Sequence, residues 1–381
     1  MQYNLDYISP QMRSLLQPGI DHDHFSNRKL SVRCFDDAYI MPYKHWTKSI
    51  GGVADKEGIA VVDSRNIEWK ESFDPFCDEI PIIKHTKVIY LGFILLGFGH
   101  VFTDDLRKLW FLKTQKYKTL INEGFEVVYT TDHNAPLPNH AIEILAYVGF
   151  EVTKFRHITQ LTQFDEIVLP DNSFYSEDFG RCYTLEYTYS VNEIKEKACS
   201  EPLDKDYPRK VYLSRSKYSM AKESLVEIGE QELERQFVKK KYTSIIPEDL
   251  SFGEQVQLAR HCEEIVATEG SVAHISAFCR PGTHLTILCK ARYLNFHQVA
   301  INQFADLKIT YVETNASFKA KKEAPWHGPF YLCITHYLER YFGCVICHVP
   351  YWLRISFWKY MRIIPRFINK VFKLLHLSIR Y

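Results

Sequence analysis

The chain predicts an α/β fold of two domains facing across a cleft, with an amphipathic helical tail. Three observations predict it. Its 381 residues suit two domains of roughly 150 residues each better than one. Short apolar runs alternate with helical patterns, as in parallel βα units. Between the halves, Glu201-Pro202-Leu203-Asp204-Lys205-Asp206-Tyr207-Pro208 is turn-rich and reads as a linker. The expected divisions are residues 1–200, 209–320 and a tail over 321–381.

In the first half, Lys87–Leu91 reads as a strand and Thr103–Gln115 as a helix. Glu126–Thr130 is a strand, and Pro138–Val148 a helix with Pro at its start and Gly149 just past its end. Glu166–Leu169 is a strand stopped by Pro170. In the second half the order is strand Val211–Leu213, helix Gly229–Lys239, strand Tyr242–Ile246 and helix Phe252–Cys262. Ser251 with Glu254 three residues on forms a capping box for that helix. Strand Ile265–Ala267, helix Val272–Cys279 and strand Leu285–Cys289 complete the series.

Composition excludes several classes. Net charge is +1 and 46% of residues are apolar, so neither disorder nor a globally basic nucleic-acid binder is expected. The ten cysteines lack the spacing of a disulfide framework. Residues 1–18 show no apolar leader segment, and no window holds 18 uninterrupted apolar residues. A cytoplasmic protein is the expectation.

The tail changes that expectation at one point. After Glu339 no acidic residue follows, while Arg362, Arg366, Lys370 and Lys373 fall on one helical face and Ile364, Phe367, Val371, Leu374 and Leu375 on the other. Flanked by Trp352 and Trp358, residues 352–381 fit an in-plane contact with the inner face of the cell membrane. A terminal helix docked on the core fits the same pattern.

Candidate chemistry is unevenly spread. Cys344-Val345-Ile346-Cys347-His348 matches a haem-attachment spacing, but its aromatic, apolar surroundings make ordinary buried thiols the expectation. Asp21-His22-Asp23-His24 carries metal-ligand types, yet no strand precedes it, and it reads as a surface loop; Asp204-Lys205-Asp206 fails equally. The Gly97-Phe98-Gly99-His100 loop is richer. Two glycines permit close approach, Thr103 is placed to cap the next helix, and Asp104 and Asp105 fall in its first turn. A His beside carboxylates is also what a general base needs.

Further on, Ser214 and Arg215 follow a strand, and Arg makes charge-assisted bonds to phosphate. Gly270 and Ser271 precede a helix whose N–H groups favour an anion. Both segments fall at carboxyl ends of strands, where ligands bind open α/β sheets.

Taken in order, these segments resemble glycosyltransferase family 61, the capsular-polysaccharide group. The residues that carry the resemblance are Gly99-His100 with Asp104, Asp105 and Leu109-Trp110, then Tyr212-Leu213-Ser214-Arg215, Glu230, the run Ile246-Pro247-Glu248-Asp249-Leu250-Ser251-Phe252 with Glu254-Gln255, and Glu264-Ile265-Val266 leading to Gly270-Ser271 and Phe278. Two positions depart: Gly229 stands where the family commonly has Asn, and Glu269 where it commonly has His.

The resemblance implies two Rossmann-like domains of the GT-B type, inversion at the anomeric carbon and no required metal or other cofactor. The acceptor-side domain would be 1–200 and the nucleotide-sugar domain 209–320. It implies a base among His100, Asp104 and Asp105, and donor contacts from Ser214, Arg215, Glu230, Glu254, Glu269, Gly270, Ser271 and His274, the last compensating for the missing family His. The expected partners are a nucleotide-sugar and a glycan or lipid-linked glycan in bacterial capsule, lipopolysaccharide or exopolysaccharide synthesis. A non-catalytic glycan- or lipid-binding scaffold is the alternative.

Overall fold

The computed structural model describes residues 1–42, 51–64, 80–177, 180–202, 206–217, 227–315, 330–346 and 353. The basic tail after Leu353, the second half of the haem-like motif and Leu203-Asp204-Lys205 of the expected linker lie outside them. Within them the strands, in chain order, are β1 (Gln2–Tyr7), β2 (Val32–Met41), β3 (Gly52–Ala54), β4 (Ile82–Ile94), β5 (Glu126–Thr131), β6 (Arg156–His157), β7 (Thr162–Pro170), β8 (Phe174–Glu177), β9 (Gly180–Tyr183), β10 (Lys210–Leu213), β11 (Glu227–Ile228), β12 (Thr243–Ile245), β13 (Glu264–Thr268), β14 (His284–Cys289), β15 (Lys308–Glu313) and β16 (Phe330–Tyr331).

Two six-stranded sheets organise the molecule, as expected of an α/β chain. One has the order β3-β2-β7-β4-β5-β6 and is mixed: β4 is parallel to β5 and β7, while β2 runs antiparallel to β7. Pro170, expected to stop a strand, is the last residue of β7, opposite Val32. The other sheet, β1-β15-β14-β13-β10-β12, is wholly parallel. Its inner strands β10, β13 and β14 are mostly apolar and buried, as expected where both faces are covered. β1 joins it from the start of the chain by pairing with β15, so residues 2–7 belong to the sheet otherwise built from residues after 209.

Two helix expectations are corrected. Residues Asp105–Lys113 form a 3-10 helix, followed by an α-helix over Gln115–Asn122. Ala273–Phe278 is likewise a short 3-10 segment, and its first amides, from Ala273 and His274, donate to the carbonyls of Gly270 and Ser271. The helix Phe252–His261 has the expected capping box, with Ser251 and Glu254 bonding reciprocally. Glu254, expected at the donor, is thereby engaged at a helix terminus.

The apolar core runs from one sheet to the other. Phe102, after the Gly-His loop, stacks on Phe252 with ring centroids 6.1 Å apart and lies tilted against Phe278 at 5.4 Å, both in the second half. Such aromatic pairs add about 0.5–1.5 kcal/mol each beyond their buried area, which ties the Gly-His loop to the parallel sheet.

Candidate active site

The Gly-His loop leaves β4 through a left-handed Leu96 and turns through Phe98–Val101. Gly99 is required by packing rather than by its own dihedrals: a Cβ there would stand 2.5 Å from Ser271 Cβ and 3.2 Å from His274 Nδ1. The close approach therefore joins the two sequence elements singled out above, His100 and Gly270-Ser271. Thr103 does not cap the following helix. Its hydroxyl donates to the Gly99 carbonyl at 2.8 Å, which closes the loop on itself.

Neither acid caps a helix either. Asp104, fully buried, receives His100 Nδ1 at 2.6 Å, His297 Nε2 at 2.9 Å and Arg181 at 3.0 Å. Burial alone would raise its pKa, but the positive potential of His297 and Arg181 and the bond from His100 hold it well below the usual carboxylate range. Asp104 is thus a permanent anion that orients two imidazoles.

Asp105 faces away. Its carboxyl accepts from the Leu95 amide at 3.0 Å, and burial, with the nearby Asp104 charge, pushes its pKa up to about 8. It is a neutral acid at pH 7.

His100 is the accessible member, its side chain 44% exposed. Desolvation lowers its pKa, but the bond to Asp104 and that residue's charge outweigh the loss and raise it above the ordinary value. His297 is lowered by burial, despite Asp104. His274 is buried beside it, with ring centroids 5.9 Å apart. Burial and the potential of its two histidine neighbours push His274 down to about 3, so it is neutral.

Sequence reasoning missed His297 and Arg181. His297 opens the helix Phe296–Phe304, whose N-cap Asn295 accepts from the Gln298 amide and reaches His274 Nε2 at 3.3 Å. That Asn before an apolar helical run was the available signal. Arg181 comes from β9, 5.8 Å above the Phe174 ring. His100, Asp104 and His297 also bring one metal-ligand atom each within 4.8 Å of one another. Arg181 already supplies positive charge to that carboxylate.

On the second sheet, Leu213 of β10 pairs with Ala267 of β13, so Ser214-Arg215 and Glu269-Gly270-Ser271 leave the carboxyl ends of adjacent parallel strands. Ser214 is buried, and its hydroxyl donates to Ser216 Oγ at 2.9 Å. The Arg215 amide donates to Glu230 Oε1 at 3.2 Å, and its guanidinium lies 3.5 Å from Glu248. Burial pushes Glu230 up to about 7.

The departures from the family pattern have physical content here. Gly229 sits at φ 94°, where a Cβ would strike the Leu332 carbonyl; Gly and Asn are the two residues that most readily adopt such a left-handed backbone. Glu269 is buried and rises to about 8 despite the pull of Lys290. Lys290 itself bonds Glu227 at 2.8 Å and lies 3.2 Å from where a Gly270 Cβ would be.

Residues 98–286 match the family model for Glycosyltransferase 61. That segment belongs to glycosyltransferase family 61. The family is one of sugar transferases, acting between a donor and an acceptor. Its matched segment contains His100, Asp104, Arg181, Arg215, Gly270, Ser271 and His274, and ends before His297. No curated protein matches the chain. Among the described residues no helix is long and apolar enough to cross a membrane.

Proposed function

We propose that this family member is an inverting, nucleotide-sugar-dependent glycosyltransferase that extends a glycan or lipid-linked glycan of a bacterial surface polysaccharide. The observation that carries the proposal is the His100–Asp104 pair set against Ser271. With its Nδ1–H donated to Asp104, His100 has its basic lone pair on Nε2. It takes the acceptor hydroxyl proton while the oxygen attacks the anomeric carbon from the face opposite the leaving group.

Asp104 is a poor base, because three cationic or donating groups stabilise its charge. Asp105 is a poor one because burial keeps it protonated. As the bond to the leaving nucleoside diphosphate breaks, negative charge accumulates on its oxygens. Arg215 at the end of β10 is the group proposed to meet it, with backbone from Gly270-Ser271 alongside. Glu230, which fixes the Arg215 backbone, is proposed to accept from donor hydroxyls.

The proposal places the donor over the parallel sheet and the acceptor over the mixed one, in the GT-B manner. Arg215 is proposed to supply the positive charge that a metal would otherwise bring to the leaving group, so the reaction is proposed to be metal-independent. The basic tail is proposed to hold the enzyme at the inner membrane face near a lipid-linked acceptor.

The test is release of a nucleoside diphosphate from a panel of nucleotide-sugars with lipid-linked acceptors, with and without added Mg2+ or Mn2+. Turnover should not depend on the added cation. His100→Ala should bind donor without turning it over, and Arg215→Ala should lose donor binding. Donor or glycan binding with no turnover of any pair would instead support the scaffold alternative.

A further inference from the structure

We propose that His22, Glu177 and Cys182 bind a divalent transition metal of the zinc class, which clamps the β8–β9 hairpin to the segment that follows the first helix. The three residues are 160 positions apart along the chain at their widest bonded pair, yet His22 Nε2 lies 3.6 Å from Cys182 Sγ and 3.9 Å from Glu177 Oε2. All three ligand atoms fall within 4.8 Å of one another. With metal bonds of about 2.0–2.3 Å in a tetrahedral site, neighbouring ligand atoms stand roughly 3.3–3.7 Å apart. A small inward movement of the half-exposed Glu177 brings the three protein ligands to that spacing, and solvent water takes the fourth position. Thiolate, imidazole and carboxylate together form a donor set that suits zinc.

The surroundings are built to hold these ligands. Asp23 accepts from the Phe25 amide and from Gln303 Nε2 at 2.7 Å, while the His24 amide donates to Gln303 Oε1 at 2.7 Å. The His24 ring lies between two carbonyls, Gly19 and Arg181, at 2.8 Å from each. Backbone bonds from Tyr183 to His24 and from Ser26 to Tyr183 pin the segment against β9. These contacts fix the backbone that brings His22 beside Cys182.

When a divalent ion binds, the Cys182 thiol proton leaves to solvent, and the thiolate, the His22 imidazole and the Glu177 carboxylate bind the ion.

The clamp has a consequence for the active site. Successive residues of a strand point to opposite faces, so Cys182 faces the metal while Arg181 turns inward to Asp104 at 3.0 Å. The proposed ion takes no part in sugar transfer itself; it holds the strand from which Arg181 reaches Asp104.

The test uses the full-length protein, stripped with chelator and titrated with Co2+ and then Zn2+. One equivalent of Co2+ should bind with a thiolate-to-cobalt charge-transfer band in the near ultraviolet, and Zn2+ should displace it. Cys182→Ser should abolish the band. Glu177→Gln, at an exposed carboxylate, should keep the fold and weaken Co2+ by at least about tenfold. His297→Ala should leave the band unchanged. Absence of the band in the parent protein, its persistence in Cys182→Ser, undiminished Co2+ affinity in Glu177→Gln, or its loss in His297→Ala would each overturn the site.

Discussion

Gly99 and Ser271 meet so closely that the space for a side chain on one is filled by the Cβ of the other. This contact seats the Gly-His loop of the mixed sheet on the Gly-Ser turn of the parallel sheet. Gly99→Ala must therefore separate them. Overpacking of this kind costs about 1–3 kcal/mol, and the displacement falls on the loop that carries His100. Thermal melting should show the lost stability, and turnover should fall further than the melt explains. An unchanged melt and unchanged turnover would show that the contact is not built so tightly.

The His100–Asp104 pair sets the acid limb of the proposed activity. A general base works only when deprotonated, so turnover should rise with pH through the His100 pKa, which lies above the ordinary imidazole value. Asp104→Asn removes the charge that raises it and leaves the desolvation that lowers it. The limb should then move to lower pH while kcat falls. His100→Ala should lose about 10²–10⁴ in kcat. A pH–rate profile whose acid limb stays in place in Asp104→Asn would assign it to another group.

What the sequence disclosed about this site follows from how local each contact is. His100 and Asp104 are four residues apart, and the Ser251–Glu254 box three, so residue spacing alone exposes them. His297 reaches Asp104 from 193 residues away, and Arg181 arrives only because a hairpin packs beside the Gly-His loop. The parallel strands of the second half were legible because both their faces are buried and read as apolar runs. β1 was not, since its exposed Gln2 and Asp6 break that pattern. The expected cap at Thr103 failed for a competitive reason: its hydroxyl found the Gly99 carbonyl, one turn back. The His22–His24 segment read as a surface loop, yet His24 is buried between two carbonyls.

Asp105 makes stability depend on pH in an unusual sense. Its carboxyl binds a proton up to about pH 8 when folded, against 3.8 as the ordinary value. Between these limits the native state holds more protons than the unfolded one, so this group's contribution falls as pH rises, by at most about 1.4 kcal/mol per unit. Asp105→Asn keeps an oxygen to accept from the Leu95 amide but cannot ionise. Relative to the parent protein, the variant should gain stability progressively from pH 5 to pH 8. Denaturant melts at several pH values measure this directly. A constant difference between the two proteins would mean that Asp105 ionises normally.

Glu230 offers a corresponding test on the donor side. Burial lifts its carboxyl to about 7, against the opposing pull of the Arg215 amide and the Tyr212 hydroxyl, and Oε1 accepts from the Arg215 amide. An ionised carboxylate accepts from a sugar or ribose hydroxyl more strongly than a neutral acid does. Donor affinity in the parent protein should therefore tighten as pH rises through 7. In Glu230→Gln the Arg215 amide keeps an acceptor, but no charge appears on titration, so affinity should be several-fold weaker at pH 8 and flat across that range. Calorimetric titration of nucleotide-sugar at pH 6, 7 and 8 separates the two behaviours. If the pH dependence survives in Glu230→Gln, the titrating group is elsewhere, and Glu269, pushed up to about 8 beside Lys290, is the next to substitute.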